Sequence, residues 1–213
     1  MTDIQNLKSA LSTVPILPVL TIDRAEDAAP LAGALLRGGL TAAEVTLRTP
    51  AALPAISAMR EAAPQLLIGA GTIVSPDDVT KAKDAGAQFL VSPGMSPPLV
   101  EAMLASKIAA IPGTATASEA MTRKSEGFEL LKLFPATQIG GVDLLKALSA
   151  PLPDIQFIPT GGINADTAAA FLALRNVMAV GGSWMVRSGD VSIGDWSGVE
   201  ETARAAVKLG SAS

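Results

Sequence analysis

The sequence predicts an α/β protein of the (β/α)8 TIM-barrel class, with an extra helix at its amino-terminal end. Short apolar runs of strand character alternate eight times with Ala- and Leu-rich stretches of helical character. Such alternation is typical of parallel strands joined by right-handed helical crossovers, and eight units favour a closed barrel. The 213 residues fit a single domain, 1–213, because no change of composition marks a linker. A doubly wound open sheet is the structural alternative.

Each predicted strand is a short apolar run bounded by turn residues. In chain order the runs are 14–22, 41–47, 65–71, 87–94, 107–113, 128–136, 156–162 and 177–183. Predicted helices precede the first run and follow every run, at 4–11, 25–39, 49–64, 75–86, 96–106, 116–127, 140–151, 164–174 and 196–210. Their ends carry the expected signals: Gly38 and Gly39 stop the second helix, and Ser75, Pro76 and Asp77 open the fourth.

Composition narrows the chemistry that the protein can perform. Hydrophobic residues make up 49% of the chain and charged residues 17%, so we expect a large core and no global disorder. Cys, His and Tyr are absent from the sequence, which excludes disulfides, cysteine nucleophiles, Ser-His-Asp triads and imidazole-bound zinc. Any reaction must therefore use Lys, Arg, Glu, Asp, Ser, Thr or backbone groups.

Charge and hydropathy bear on partners and location. The net charge of −4 argues against a nucleic acid or an anionic membrane as partner, since both require a basic field. No run reaches the roughly 18 uninterrupted apolar residues of a membrane span, and the first residues lack the architecture of a signal peptide. A cytoplasmic location is the expectation.

Polar residues near the carboxyl ends of the strands are the candidates for a site, because active sites of barrels gather there. In the sixth strand Leu131 and Leu133 share one face, and Lys132 and Phe134 share the other. The face that meets the helices must be apolar, so we expect Lys132 to point inward. Burial disfavours the charged form of an amine and leaves it free as a nucleophile. Taken alone, a lysine at a strand end more often extends to solvent.

The second strand adds two charged residues that share one face of the strand. Glu44 and Arg48 share one face, and Val45 and Leu47 share the other. By the same argument the carboxylate and the guanidinium face inward or lie at the mouth. With Lys132 they would supply an amine nucleophile, a proton-transfer carboxylate and a cation for a substrate carboxylate. A purely structural Glu–Arg pair is the alternative.

Hydroxyl groups and glycines follow other strands. Thr72 ends the third strand, and Ser92, a weaker candidate, begins the turn after the fourth. Glycine-rich turns end strands seven and eight, where backbone N–H groups can approach an anion, and barrels often bind phosphate at those two loops. Ser183 is expected to begin a helix whose amino terminus favours negative charge. These features predict a phosphate ester as the substrate.

An ordered set of motifs resembles the class I 2-keto-3-deoxy-6-phosphogluconate (KDPG) aldolases, also called KDPG/KHG aldolases, where KHG is 4-hydroxy-2-oxoglutarate. The matching segments are EVTLRTP at 44–50, GAGT at 69–72, SPG at 92–94, IPG at 111–113, KLFPA at 132–136, PTGGI at 159–163 and GGSW at 181–184. They run in family order over nearly the whole chain. Leu133 stands where many relatives carry a second Phe, a change that we expect to affect only packing.

The resemblance implies that Lys132 forms a Schiff base and that Glu44 shuttles protons. It also implies that Arg48 and Thr72 hold the carboxylate of pyruvate. The other implied substrate residues are Phe134, Thr160, Gly161, Gly162, Gly182 and Ser183. The implied reaction is cleavage of KDPG to pyruvate and D-glyceraldehyde 3-phosphate, in the Entner–Doudoroff pathway. Cleavage of KHG to pyruvate and glyoxylate is an implied second activity, and a homotrimer without metal or cofactor is the implied assembly.

Two other interpretations compete. A sugar-phosphate isomerase or epimerase would share the glycine-rich phosphate loops but would not need a covalent amine, so an inward lysine counts against it. A barrel that only binds phosphorylated metabolites, or serves as an assembly subunit, has no reason to hold unpaired charges inside. Trapping of an amine adduct separates the aldolase from the isomerase.

Overall fold

A computed structural model describes residues 4–211 of the protein. Over these residues helices and strands alternate as an α/β protein should. The helices are α1 Ile4–Thr13, α2 Ala28–Arg37, α3 Ala52–Ala62, α4 Pro76–Asp84, α5 Pro97–Ser106, α6 Ala117–Ser125, α7 Gly141–Ser149, α8 Ala165–Leu172, α9 Ser188–Ser192 and α10 Trp196–Ser211. The strands are β1 Ile16–Leu20, β2 Ala42–Thr46, β3 Leu67–Gly71, β4 Phe89–Val91, β5 Ala109–Ile111, β6 Gly113–Thr114, β7 Leu130–Leu133, β8 Gln156–Pro159 and β9 Val180–Gly182.

Each predicted strand run contains an observed strand, and each predicted helix overlaps an observed one. The fourth helix opens as its sequence predicts: Ser75 accepts a hydrogen bond from the Asp78 amide, and the Asp78 side chain accepts one from the Ser75 amide. The sequence did not predict α9 or the short 3₁₀ helix Thr137–Ile139, and the first residues of the predicted helix 25–39 form another 3₁₀ helix, Ala25–Asp27.

The strands are parallel and curl into two sheets. One sheet has the order β5-β4-β3-β2-β1-β9, and the other has the order β6-β7-β8. Two isolated bridges, Phe157 to Val177 and Thr160 to Gly181, connect the region of β8 with that of β9. The α/β class and the curled parallel sheet are thus confirmed, but the pairing does not run continuously around eight strands as predicted. The predicted run 107–113 divides into β5 and β6 at Pro112, which has no N–H to donate to a strand ladder.

Two apolar clusters lie on opposite faces of the curled sheet. Leu7 and Leu11 of α1 pack with Leu17, Phe89 and Ile158 on the inner face. A larger cluster fills the space between the outer face and the surrounding helices, and contains among others Val45, Leu131 and Leu133. Because α1 supplies apolar side chains to the inner face, the polar side chains of that face collect toward the carboxyl ends of the strands.

No helix within residues 4–211 is both long enough and apolar enough to cross a membrane.

Candidate active site

Two oppositely charged side chains meet inside the curled sheet. Lys132 comes from β7 and Glu44 from β2, and their side chains are only 5% and 1% exposed. The Lys132 Nζ lies 3.5 Å from the Glu44 Oε1. Both strands turn alternate apolar residues outward to the helices, and this alternation brings the amine and the carboxylate to the same inner space.

The contacts of this pair leave one carboxylate oxygen unused. Glu44 Oε2 is buried and receives no hydrogen bond from any residue between 4 and 211. The Lys132 Nζ also lies 5.1 Å from the centroid of the Phe134 ring. A buried acceptor without a donor is costly unless a ligand or a transferred proton uses it. The arrangement can therefore provide an amine nucleophile together with a carboxylate that accepts and returns protons.

A glycine on the neighbouring strand makes room for the carboxylate. Gly71 ends β3, and a Cβ built on it would overlap the Glu44 side chain. Gly69, two residues earlier on the same strand, leaves space for the ring of Phe89 in the same way. The GAG segment thus has a steric role in addition to its place in the strand, and its glycines were the only sequence signal for that role.

Arg48 and Thr72 form a second polar contact at the ends of β2 and β3. The Arg48 Nε donates a hydrogen bond to the Thr72 Oγ1 at 3.1 Å. Thr72 has a φ of 60°, in the left-handed region, where a β-branched residue is a genuine outlier. Strain of this kind costs about 1–3 kcal/mol and is concentrated at functional sites. The strained backbone directs the Thr72 hydroxyl to the guanidinium.

A cleft of about 210 Å³ opens at the carboxyl ends of the strands. Seven predicted site residues line it: Arg48, Phe134, Thr160, Gly161, Gly162, Gly182 and Ser183. Because Phe134 lines the cleft and covers the Lys132 amine, the buried pair adjoins this space. Thr72 does not line the cleft itself, but contacts it through Arg48.

Sequence reasoning missed part of the lining. Val19 and Thr21 come from the end of β1, and Ile163 follows the turn after β8. The run LPVLTI that contains the first two residues looks like an ordinary buried strand. The polar Thr21 at the end of that run was the signal that could have identified it.

In the glycine-rich turns at the ends of β8 and β9, neighbouring atoms come closer to the backbone than a side chain would allow. Gly161 and Gly162 have φ values of 105° and 76°, which a residue with a Cβ adopts only under strain. A Cβ on Gly181 would overlap the Thr160 hydroxyl, and one on Gly182 would overlap the Trp184 ring. The cleft therefore presents backbone groups and hydroxyls along this side, as an anion site requires.

The structure describes the surroundings of two predicted serines, and the expectation that one of them, Ser183, begins a helix was wrong. Ser183 does not begin a helix, because a turn closes from the Val186 amide to the Ser183 carbonyl at 3.0 Å and α9 begins only at Ser188. Ser92 does not lie in the cleft but is fully buried. Its hydroxyl donates to the Met95 Sδ at 3.1 Å and accepts from the Gly113 amide at 3.3 Å, which holds the turn after β4 in place.

No group of three or more acidic side chains among residues 4–211 is arranged to hold a metal ion.

Comparison with known proteins assigns the family. The family model described as KDPG and KHG aldolase matches residues 7–202. A 2-dehydro-3-deoxy-phosphogluconate aldolase of Pseudomonas aeruginosa is 48% identical over 193 residues, which cover 91% of this chain and 88% of that protein. The KHG/KDPG aldolase of Escherichia coli K12 is 40% identical over 201 residues, covering 94% of both chains.

A solved structure shares the fold closely. The KDPG aldolase of Legionella pneumophila, with pyruvate captured as a covalent carbinolamine intermediate, superimposes with a TM-score of 0.90. It is 41% identical in sequence, and the match covers 93% of this chain and 97% of that chain. This chain therefore belongs to the KDPG and KHG aldolase family.

Proposed function

We propose that this protein is a class I aldolase that cleaves KDPG to pyruvate and D-glyceraldehyde 3-phosphate through a Schiff base on Lys132. The observation that carries the proposal is the buried pair of Lys132 and Glu44, an amine and a carboxylate 3.5 Å apart next to the cleft. The covalent carbinolamine of pyruvate in the Legionella relative supports the same chemistry. The name of the Escherichia coli relative supports KHG as a second substrate, cleaved to pyruvate and glyoxylate.

The reaction begins when the Lys132 Nζ attacks the C2 ketone of the substrate. Glu44 delivers and removes protons as the carbinolamine loses water and becomes an iminium. The iminium then accepts the electron pair of the C3–C4 bond as Glu44, directly or through water, takes the proton of the C4 hydroxyl. Glyceraldehyde 3-phosphate leaves, and the remaining enamine is protonated at C3 and hydrolysed to pyruvate, which frees the amine.

The two ends of the substrate are assigned to the two sides of the cleft. Arg48, oriented by Thr72, holds the carboxylate next to the ketone. The phosphate end lies at the glycine-rich turns, where N–H groups and a hydroxyl converge. Residues on that side are Thr160, Gly161, Gly162, Gly182 and Ser183. Phe134, which lies over the amine, limits water around the Schiff base.

The proposal extends to architecture and assembly. We assign residues 1–213 to one catalytic domain, in which the two parallel sheets act as parts of one (β/α)8 barrel; the bridges between the regions of β8 and β9 support this. The family resemblance supports a homotrimer without metal, acting in the cytoplasm in the Entner–Doudoroff pathway. Light scattering over a range of protein concentrations measures the oligomeric state.

Borohydride reduction in the presence of pyruvate tests the chemistry. We expect intact mass and peptide mapping to find one pyruvate-derived adduct per chain, located on Lys132. Lys132→Gln should remove the adduct, whereas the matched variant Lys146→Gln should keep it, because Lys146 is 62% exposed. A folded protein that forms no adduct, or forms it only on other lysines, would eliminate the aldolase proposal and favour the isomerase or epimerase.

A further inference from the structure

Two hydroxyl groups next to the cleft have a defined direction of hydrogen bonding. The buried Thr46 Oγ1 donates to the Leu20 carbonyl at 2.8 Å. The Thr21 Oγ1 lies 3.2 Å from the same Thr46 oxygen. A threonine hydroxyl has one proton to donate and two lone pairs with which to accept. Because the proton of Thr46 is directed to a carbonyl, the hydrogen between the two hydroxyls belongs to Thr21.

This direction determines what Thr21 offers to the cleft. Its own proton points away from the cleft, toward Thr46, so its oxygen remains available as an acceptor. Thr21 is also an exposed residue that lines the cleft. A group that donates a hydrogen bond suits this position, whereas a phosphate or carboxylate oxygen, itself an acceptor, does not.

The strand order places Thr21 between the two ends of the substrate. β1 lies between β2 and β9 in the sheet. Arg48 follows β2, Thr21 follows β1 and Ser183 follows β9, and all three line the cleft. A ligand with its carboxylate at Arg48 and its phosphate near Ser183 therefore presents its middle carbons to Thr21.

We propose that Thr21 is a specificity-determining residue that accepts a hydrogen bond from the C5 hydroxyl of KDPG. The inference rests on the proposed function, which places a hydroxyl on C4 and another on C5 in the middle of the ligand. The C4 hydroxyl gives its proton to Glu44 during cleavage, so the C5 hydroxyl is the donor left for Thr21. In the direction of synthesis this group is the 2-hydroxyl of D-glyceraldehyde 3-phosphate.

Condensation of pyruvate with two acceptors tests the assignment. One acceptor is D-glyceraldehyde 3-phosphate, and the other is 3-oxopropyl phosphate, which keeps the aldehyde and the phosphate but lacks the 2-hydroxyl. The wild-type protein should prefer the hydroxylated acceptor in kcat/KM by roughly three- to tenfold, the effect of one neutral hydrogen bond. Thr21→Val, which keeps the shape but removes the acceptor, should abolish this preference. Thr21→Ser should retain it.

Two results would overturn the inference. The first is a wild-type protein that uses both acceptors equally well, and the second is a Thr21→Val variant that loses activity equally with both. Pyruvate lacks the hydroxyl in question, so borohydride trapping of pyruvate should proceed equally fast in wild type, Thr21→Val and Thr21→Ser. If trapping is intact and the preference does not depend on Thr21, this inference fails alone. If the wild type traps no pyruvate, the proposed function fails, and the inference with it.

Discussion

The backbone of Thr72 is strained, and a hydrogen bond of its side chain accounts for a threonine at this position. A threonine at a φ of 60° is strained, and glycine would occupy that position freely. The hydroxyl, however, accepts the hydrogen bond of the Arg48 Nε. Thr72 therefore lowers stability but orients the Arg48 guanidinium, to which the proposed function assigns the substrate carboxylate.

Replacement of Thr72 should separate its effect on stability from its effect on substrate binding. We expect Thr72→Gly to raise the free energy of unfolding by about 0–1 kcal/mol, since relief of strain exceeds the entropy that glycine adds to the unfolded chain. The KM for KDPG should rise roughly tenfold because Arg48 loses its partner. Urea unfolding and steady-state kinetics measure both quantities. Thr72→Ser should keep the wild-type KM, and a Thr72→Gly variant with that KM would contradict the assignment.

The sequence was sufficient for some residues and not for others. Alternation along two strands was enough to direct Glu44 and Lys132 inward, because the helix-facing side of each strand must be apolar. The left-handed backbone of Thr72 could not be predicted, since nothing in a Thr-Ile sequence indicates a positive φ. The proton direction of Thr21 depends on Thr46, which is distant in sequence and becomes a neighbour only when the first two strands pair.

Helix α6 begins with a capping box, in which groups of its first turn form hydrogen bonds with one another. Thr116 accepts a hydrogen bond from the Glu119 amide at 3.2 Å. The Glu119 carboxylate accepts in return from the amides of Ala115 at 2.7 Å and Thr116 at 2.8 Å. These bonds, first of all that from the Ala115 amide, hold the pKa of Glu119 below its ordinary value.

A pH dependence follows from the lowered pKa. A carboxyl group with a depressed pKa in the folded state stabilises the fold above its unfolded pKa, about 4.3, and loses that contribution as pH falls through the folded value. We expect Glu119→Gln to lower the free energy of unfolding by roughly 0.3–1 kcal/mol at pH 7. The difference from wild type should shrink as the pH falls below about 4. Urea unfolding at several pH values measures it, and a difference that is constant or grows in acid would contradict the argument.

The bounds of the helices and strands could be predicted only in part from the sequence. Capping residues and glycines located helix starts and stops because their chemistry is local. Pro112 was a local signal for the division of the fifth strand, but the change of partner from β4 to β7 could not be predicted from the sequence. The short α9 was missed because its five residues carry no apolar periodicity.

Helices α2 and α10, which are far apart in sequence, meet in a close contact. Helix α10 packs against α2, where a Cβ on Gly38 would lie 2.5 Å from the Ala203 Cβ. Glu200 of α10 forms ion pairs with Arg37 at 2.8 Å and with Arg204 at 2.6 Å. Gly38 has an ordinary φ of −68°, so packing alone requires glycine there.

Overpacking at this contact should destabilise the protein as one unit. We expect Gly38→Val to lower the free energy of unfolding by about 1–3 kcal/mol, because α10 must move away from α2. Fluorescence of Trp184 and Trp196 and far-UV circular dichroism should report the same urea midpoint. The matched variant Gly94→Val should be nearly neutral, since within residues 4–211 no atom outside its immediate chain neighbours lies within 4 Å of a Cβ at Gly94. Equal losses in the two variants would contradict the argument.

The pairing of β1 with β9 also bears on how the protein is made. One side of the cleft joins Val19 and Thr21 to Gly182 and Ser183, which are translated much later. A chain still on the ribosome can contain Glu44, Arg48, Thr72 and Lys132 and yet lack β9, which completes this side of the cleft. A product that ends shortly before residue 180 would contain Lys132 but would lack β9 and the part of the cleft lining that Gly182 and Ser183 supply.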